Sequence, residues 1–148
     1  MAAKTENSVT IDAPLERVWT FTNDVEAWPE YFDEYSAVEV LRRDGDTIDF
    51  RLTTRPDDQG QAWSWVSRRT ADPATRTVRA HRLETGPFEY MRLRWFYTES
   101  GGRTTMRWVQ EFELRDDAPF DDAAMVERLD TGSRKNMAHI KKILESAS

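Results

Sequence analysis

The sequence predicts an α+β fold: a curved antiparallel sheet around one long C-terminal helix, enclosing an internal cavity. Three observations lead there. From about residue 36 to residue 114, apolar and polar residues alternate with the two-residue period of strands. Short breaks rich in Gly, Pro and Asp divide these runs like the turns of hairpins. After residue 120 the apolar period lengthens to that of a helix. One amphipathic helix set against a run of hairpins buries its stripe on the sheet. A cavity remains wherever their side chains do not meet.

The first strand is expected over residues 5–12, with Val9 and Ile11 alternating. Ala13-Pro14 then opens a helix over 15–22, because proline suits a first turn. Asn23-Asp24 is a cap signal for a second short helix through Trp28, which Pro29 interrupts or restarts. Strands follow at 36–43, 47–54, 61–70, 76–84, 88–99 and 104–114. Asp44-Gly45-Asp46, residues 56–60, 72–75, Thr85-Gly86-Pro87 and Ser100-Gly101-Gly102 divide them. The long helix begins at Asp121 or Asp122, with Met125 or Val126, Leu129, Met137, Ile140 and Leu144 on its stripe. Gly132 and Ser133 interrupt that stripe with small side chains, leaving room beside the helix.

The 148 residues suit one domain, 1–148, with one core. A net charge of −6 argues against a general nucleic-acid binder. Six Trp among 11% aromatic residues is high usage. Cysteine is absent, which removes thiolate metal sites and disulfides and favours a cytoplasmic home. No apolar run reaches the roughly 18 residues of a membrane helix, and the N-terminus does not look like a signal peptide. There is no metal-ligand spacing, phosphate loop, dinucleotide fingerprint or nucleophile elbow. His81 is out of phase with Arg82 and faces away from it, and His139 falls beside the helix stripe.

Put in phase, the strands show mixed faces. Trp63, Trp65, Ser67 and Arg69 form one row, and Met106, Trp108, Gln110 and Phe112 a second. Met91, Leu93, Trp95 and Tyr97 form a third, and Val78, Ala80 and Arg82 a fourth. A plain core has little use for Ser67, Arg69, Gln110 and Arg82, since buried polar groups cost free energy unless paired. Taken alone, each arginine also fits a strand end reaching water. Tyr35 fits either a cavity mouth, as a proton donor with pKa near 10, or an ordinary rim. Asp24 reads as a helix cap rather than a base. Arg134, Lys135, Lys141 and Lys142 read as a solvated helix end or as a face for an acidic carrier.

Ile11-Asp12-Ala13-Pro14, followed by Val18-Trp19, resembles the opening of the helix-grip (START/Bet v 1-like) superfamily. Asn23-Asp24-Val25-Glu26-Ala27-Trp28-Pro29-Glu30 and Thr54-Arg55-Pro56-Asp57 are more specific. So are Trp63-Ser64-Trp65-Val66-Ser67, Val78-Arg79-Ala80-His81-Arg82, Glu84-Thr85-Gly86-Pro87-Phe88 and Met106-Arg107-Trp108-Val109-Gln110-Glu111-Phe112. These resemble single-domain aromatase/cyclases of bacterial type II polyketide synthases, of the tetracenomycin and spore-pigment types. The likeness runs from Ala3 to about Ile143.

The resemblance implies a helix-grip fold whose seven-stranded sheet grips the long C-terminal helix, with two short helices after the first strand. It implies a cavity that folds an unreduced poly-β-ketone on an acyl carrier protein, alongside a ketosynthase/chain-length factor and without a cofactor. The first ring would join carbon nine to carbon fourteen, and a second closure can follow. Arg69, Tyr35 and Ser67 fall on the family's catalytic positions. Arg82 falls on its second arginine, and Trp28, Phe32, Trp63, Trp65, Phe88, Trp95 and Trp108 on its aromatic wall. Met91, Gln110, Met125 and Leu129 complete the expected lining. Arg68 stands where a relative has histidine, and the cavity histidine and acid of relatives acting on reduced chains are not found. No fused methyltransferase is expected. The alternative reading is a non-catalytic binder of lipids or quinones on the same fold.

Overall fold

The computed structural model describes residues 2–32 and 34–146. Strand β1 (Ala3–Ile11) leads into helix α1 (Leu15–Asn23), a 3-10 turn (Val25–Ala27) and the short helix α2 (Trp28–Tyr31). Six strands follow: β2 (Tyr35–Asp44), β3 (Thr47–Thr54), β4 (Ser64–Asp72), β5 (Thr77–Arg82), β6 (Phe88–Ser100) and β7 (Arg103–Leu114). Helix α3 (Asp122–Ser146) closes the chain. The strands form one antiparallel sheet in the order β1-β7-β6-β5-β4-β3-β2. This is the expected architecture.

Local chemistry explains the boundaries. Pro14 sits at the N-cap of α1, with extended backbone. The β2–β3 and β6–β7 turns are two residues long, and Gly45, Gly101 and Gly102 take positive φ there. Asp121 caps α3, its Oδ1 accepting the Ala124 amide at 2.8 Å. Asp24 does not act as the expected cap: its side chain bonds no amide of the 3-10 turn. Pro29 restarts the chain as α2, since proline is tolerated in a first turn. Strand β4 starts one residue later than its aromatic run, leaving Trp63 outside the sheet.

The inner face carries the core. Ile48, Phe50 and Leu52 of β3 are buried in strict alternation, and Met106, Trp108 and Phe112 line β7. Helix α3 packs on β1 and buries Met125, Ser133, Met137, Ile140 and Leu144. Bulges interrupt β2 between Tyr35 and Ala37, and β6 between Phe88 and Tyr90. Each sits beside a residue that rims the cavity, where a bulge re-aims a side chain. No helix among the described residues is long and apolar enough to cross a membrane.

Candidate functional site

A cavity of about 430 Å³ lies between the sheet, α2 and α3. All the site residues expected from the sequence line it: Tyr35, Ser67, Arg69, Arg82, Gln110 and the named aromatic, methionine and leucine side chains. The sheet register explains the convergence. Ser67 pairs with Phe50 on β3 and with Arg82 on β5, so the hydroxyl and the second guanidinium are cross-strand neighbours. Arg69 pairs with Ala80, and Ala80 with Leu93. The small Ala80 leaves space over which the Arg69 side chain reaches Trp95.

Arg69 is the centre of the site. It is 3% exposed, so it does not reach water as a strand-end arginine would. Its Nη1 donates to Asn23 Oδ1 at 2.7 Å. The guanidinium stands 4.6 Å from the Trp95 ring centroid and 5.4 Å from that of Trp28. Its Nη2 has no hydrogen-bond partner among the described residues. Burial lowers its pKa to about 10, and Tyr97 opposes the fall. The group therefore stays cationic at neutral pH, held by a neutral amide and aromatic faces rather than a carboxylate.

Arg82 stacks on Trp65 at 4.1 Å and on Phe88 at 4.9 Å, with Nη1 against the Thr85 carbonyl at 3.4 Å. Burial also lowers its pKa to about 10, against the pull of Tyr35. Tyr35 packs edge-on to Phe32 and Trp65 and stacks at 6.2 Å on Trp28. Desolvation raises its pKa well above 10, Glu34 adds to the rise, and Arg82 opposes it. The phenol therefore remains a proton donor at neutral pH. Ser67 is buried beside these groups.

The aromatic wall is a connected stack. Trp95 and Trp108 lie 4.5 Å apart at 14°, and Trp28 stacks on Trp95 at 6.0 Å. Trp28 is fixed by its Nε1–H donating to the Thr22 carbonyl at 3.1 Å. Phe88 and Met91 join Met125 of α3 in a second apolar cluster, with Leu129 packed against it. Trp63 is 39% exposed, so it guards the mouth instead of sharing the interior row with Trp65. The Thr54 hydroxyl accepts its backbone amide at 2.8 Å, and Arg128 of α3 covers its ring at 4.9 Å.

Sequence reasoning missed Asn23, Thr22 and Tyr97 as parts of this site. The Asn23 amide bridges: its Nδ2 donates to the Trp19 carbonyl at 2.8 Å while its Oδ1 accepts Arg69. Thr22 and Tyr97 share a 2.6 Å hydrogen bond behind Arg69, and burial drives the Tyr97 pKa up to about 12. The sequence signals were Asn23-Asp24, which reads as a helix cap, and the row that sets Tyr97 in phase with Trp95. On α3, Arg134 and Lys141 pair with acids one turn away, at 3.8 Å to Asp130 and 2.7 Å to Glu145. That favours the solvated-helix reading of those cations over a carrier face. A separate groove of about 490 Å³ on the outer sheet face carries Arg68, Arg79, Arg92 and Arg94 and the exposed His81.

Comparison with known proteins agrees with this geometry. Residues 11–141 match the family described as polyketide cyclase/dehydrase and lipid transport. The chain is 51% identical over 148 residues to a protein of Streptomyces cyaneus named as a polyketide cyclase, covering 100% of this chain and 97% of that one. It is 30% identical over 140 residues to the actinorhodin polyketide synthase bifunctional cyclase/dehydratase of Streptomyces coelicolor. That match spans 94% of this chain and 43% of the longer protein. The Zhui aromatase/cyclase of Streptomyces sp. R1128 superposes with a TM-score of 0.80 at 24% identity, over 99% of this chain and 93% of that chain. A START superfamily protein of Mycobacterium smegmatis shares the fold, with a TM-score of 0.78. By its matched residues, its helix-grip fold and its aromatic cavity, the chain belongs to the polyketide cyclase/dehydrase and lipid transport family.

Proposed function

We propose that the protein is a polyketide aromatase/cyclase, a single domain over 1–148 working in the cytoplasm beside a type II synthase. Its substrate is an unreduced poly-β-ketone delivered by an acyl carrier protein after a ketosynthase/chain-length factor has built it. The observation that carries this reading is Arg69: a buried cation between two tryptophans, with no carboxylate against it and one N–H pair lacking a partner among the described residues. A carrier of apolar molecules has no use for such a charge, since burying it costs free energy and an apolar ligand makes no bond to it.

The chemistry needs little from a protein base. A methylene between two carbonyls is acidic enough to lose its proton to water or to a neighbouring enolate. The harder task is selecting one bend of the chain. The stacked walls of Trp28, Trp65, Trp95 and Trp108 hold the chain in one register, which is catalysis by orientation. Arg69 hydrogen-bonds the ketone under attack and stabilises the alkoxide that forms as the enolate carbon bonds to it. Tyr35 supplies the proton to that oxygen, and Ser67 positions the oxygen or a water. Loss of water then gives the aromatic ring, without a cofactor. The register proposed joins carbon nine to carbon fourteen, and a second closure can follow in the remaining volume.

The test is product analysis of a reconstituted minimal synthase with wild type or Arg69→Ala. Wild type should redirect the spontaneous mixture to one ring pattern, and the folded variant should return the mixture. If wild type leaves the mixture unchanged, the cavity is a binding site without this chemistry.

A further inference from the structure

Two buried side-chain atoms lack a hydrogen-bond partner among the described residues: Arg69 Nη2 and Trp108 Nε1. Both are donors, and both residues line the aromatic cavity. A buried donor left without an acceptor costs about 1–3 kcal/mol, so each asks for a reason. The proposed reaction uses Arg69. It uses Trp108 only as a flat wall, and a flat wall does not need an N–H: phenylalanine would stack on Trp95 as well.

The placement of the two donors is informative. Strands β4, β5, β6 and β7 are consecutive neighbours, so the backbones bearing Arg69 and Trp108 lie three strands apart, roughly 14 Å. Trp95 stands between them, touching the guanidinium at 4.6 Å and stacking on Trp108 at 4.5 Å. Gln110, next to Trp108 on the same strand face, receives the hydroxyls of Thr5 at 3.0 Å and Ser133 at 3.3 Å on its Oε1. That oxygen is therefore already engaged by two hydroxyl donors. The acids in the lining, Glu34 and Glu84, are exposed at the rim.

We infer that Trp108 Nε1–H is a second oxygen-binding point, and that the ligand bears acceptor oxygens at two separated positions, one for Arg69 and one for Trp108. This rests on the cyclase reading and adds to it a determinant of the chain's bend. A poly-β-ketone repeats its carbonyl at every second carbon, so one anchored oxygen leaves many bends of the chain equally good. A second donor at a fixed separation selects among those bends, since a bend that brings no carbonyl to it strands a buried N–H. Trp108 gives up no proton in the reaction; its N–H holds a carbonyl oxygen and fixes how the chain bends between that oxygen and the one at Arg69.

The experiment compares wild type with Trp108→Phe in the reconstituted synthase and measures the ratio of directed to misdirected ring products. A variant carrying 3-benzothienylalanine at position 108 keeps the ring size and lacks only the N–H, which covers the case where Trp108→Phe does not fold. The ratio should fall roughly three- to tenfold, the worth of one neutral hydrogen bond. An unchanged ratio in a folded variant overturns the inference and leaves the cyclase reading standing. Failure of wild type to direct any product overturns both. Binding gives an independent readout with emodin, a polyhydroxylated anthraquinone, as the probe. The Trp108 indole N–H resonance should move downfield as emodin quenches the cavity fluorescence. Quenching without that movement also overturns the inference.

Discussion

Replacing Arg69 by methionine separates its use in chemistry from any part in holding the fold. Burial lowers the Arg69 pKa from 12.5 to about 10. That difference corresponds to about 3 kcal/mol against the charged form in the folded state. Neutral pH lies below both values, so the penalty is present in full there. It lessens as pH rises through about 10, where the folded protein releases the proton before the unfolded chain does. Against the penalty stands the 2.7 Å bond to Asn23, a charge-assisted contact contributing about 1.5–3 kcal/mol. Contacts with the Trp28 and Trp95 rings add about 0.5–2 kcal/mol. These terms nearly cancel, and methionine keeps much of the volume. The folding stability of Arg69→Met should therefore lie within about 1.5 kcal/mol of wild type in urea titration, with the slope unchanged. Directed cyclisation should fall by about 10²–10³, the worth of a lost oxyanion donor. A loss of stability above about 3 kcal/mol would show that Arg69 braces the fold. Wild-type product ratios in the variant would refute the assignment of its charge to the reaction.

Three further outcomes follow from the same geometry. Tyr35→Phe keeps the stack on Trp28 and removes only the donor; single-turnover ring closure should slow by about 10²-fold at unchanged stability. Because the Tyr35 phenol titrates well above 10, the wild-type rate should show no loss of this donor between pH 6 and 9, read from a pH–rate profile. Asn23→Asp places a carboxylate beside Arg69 and removes the amide donor to Trp19; it should neutralise the cation and lower product fidelity about tenfold, whereas equal fidelity would mean the neutral partner is immaterial. Gly86→Ala forces a side chain onto a residue with φ of +56° and sets its Cβ 3.2 Å from Arg82 Nη1. It should cost about 1 kcal/mol in thermal melting and shift Arg82 off Trp65, seen as changed tryptophan fluorescence.

Much of this protein follows from local pattern. Strand and helix periods reveal themselves without long-range knowledge: β3 has the limits expected from alternation alone, and the two-residue turns at Gly45 and Gly101 follow from glycine's access to positive φ. The mixed rows containing Ser67, Arg69, Arg82 and Gln110 also marked the cavity, because polar groups among large aromatic ones violate the economy of a core. Boundaries where the chain leaves the sheet were less legible. Trp63 continues the alternation of β4 in sequence, yet it lies outside the strand, its amide donating to the Thr54 side-chain hydroxyl instead of to a β3 carbonyl.

The architecture, the aromatic excess and the identity of the cation all follow from periodicity and residue type. What surrounds that cation is set by contacts between distant parts of the chain. Asn23 sits 46 residues from Arg69 and Tyr97 meets Thr22 across 75, separations at which no local pattern carries information. Likewise, nothing in the order of residues distinguishes a tryptophan whose N–H finds a carbonyl, as Trp28 does, from Trp108, whose N–H finds none. Hydrogen-bond satisfaction depends on distances of a few tenths of an ångström set by the whole fold, and those distances fix where a bound oxygen can be held.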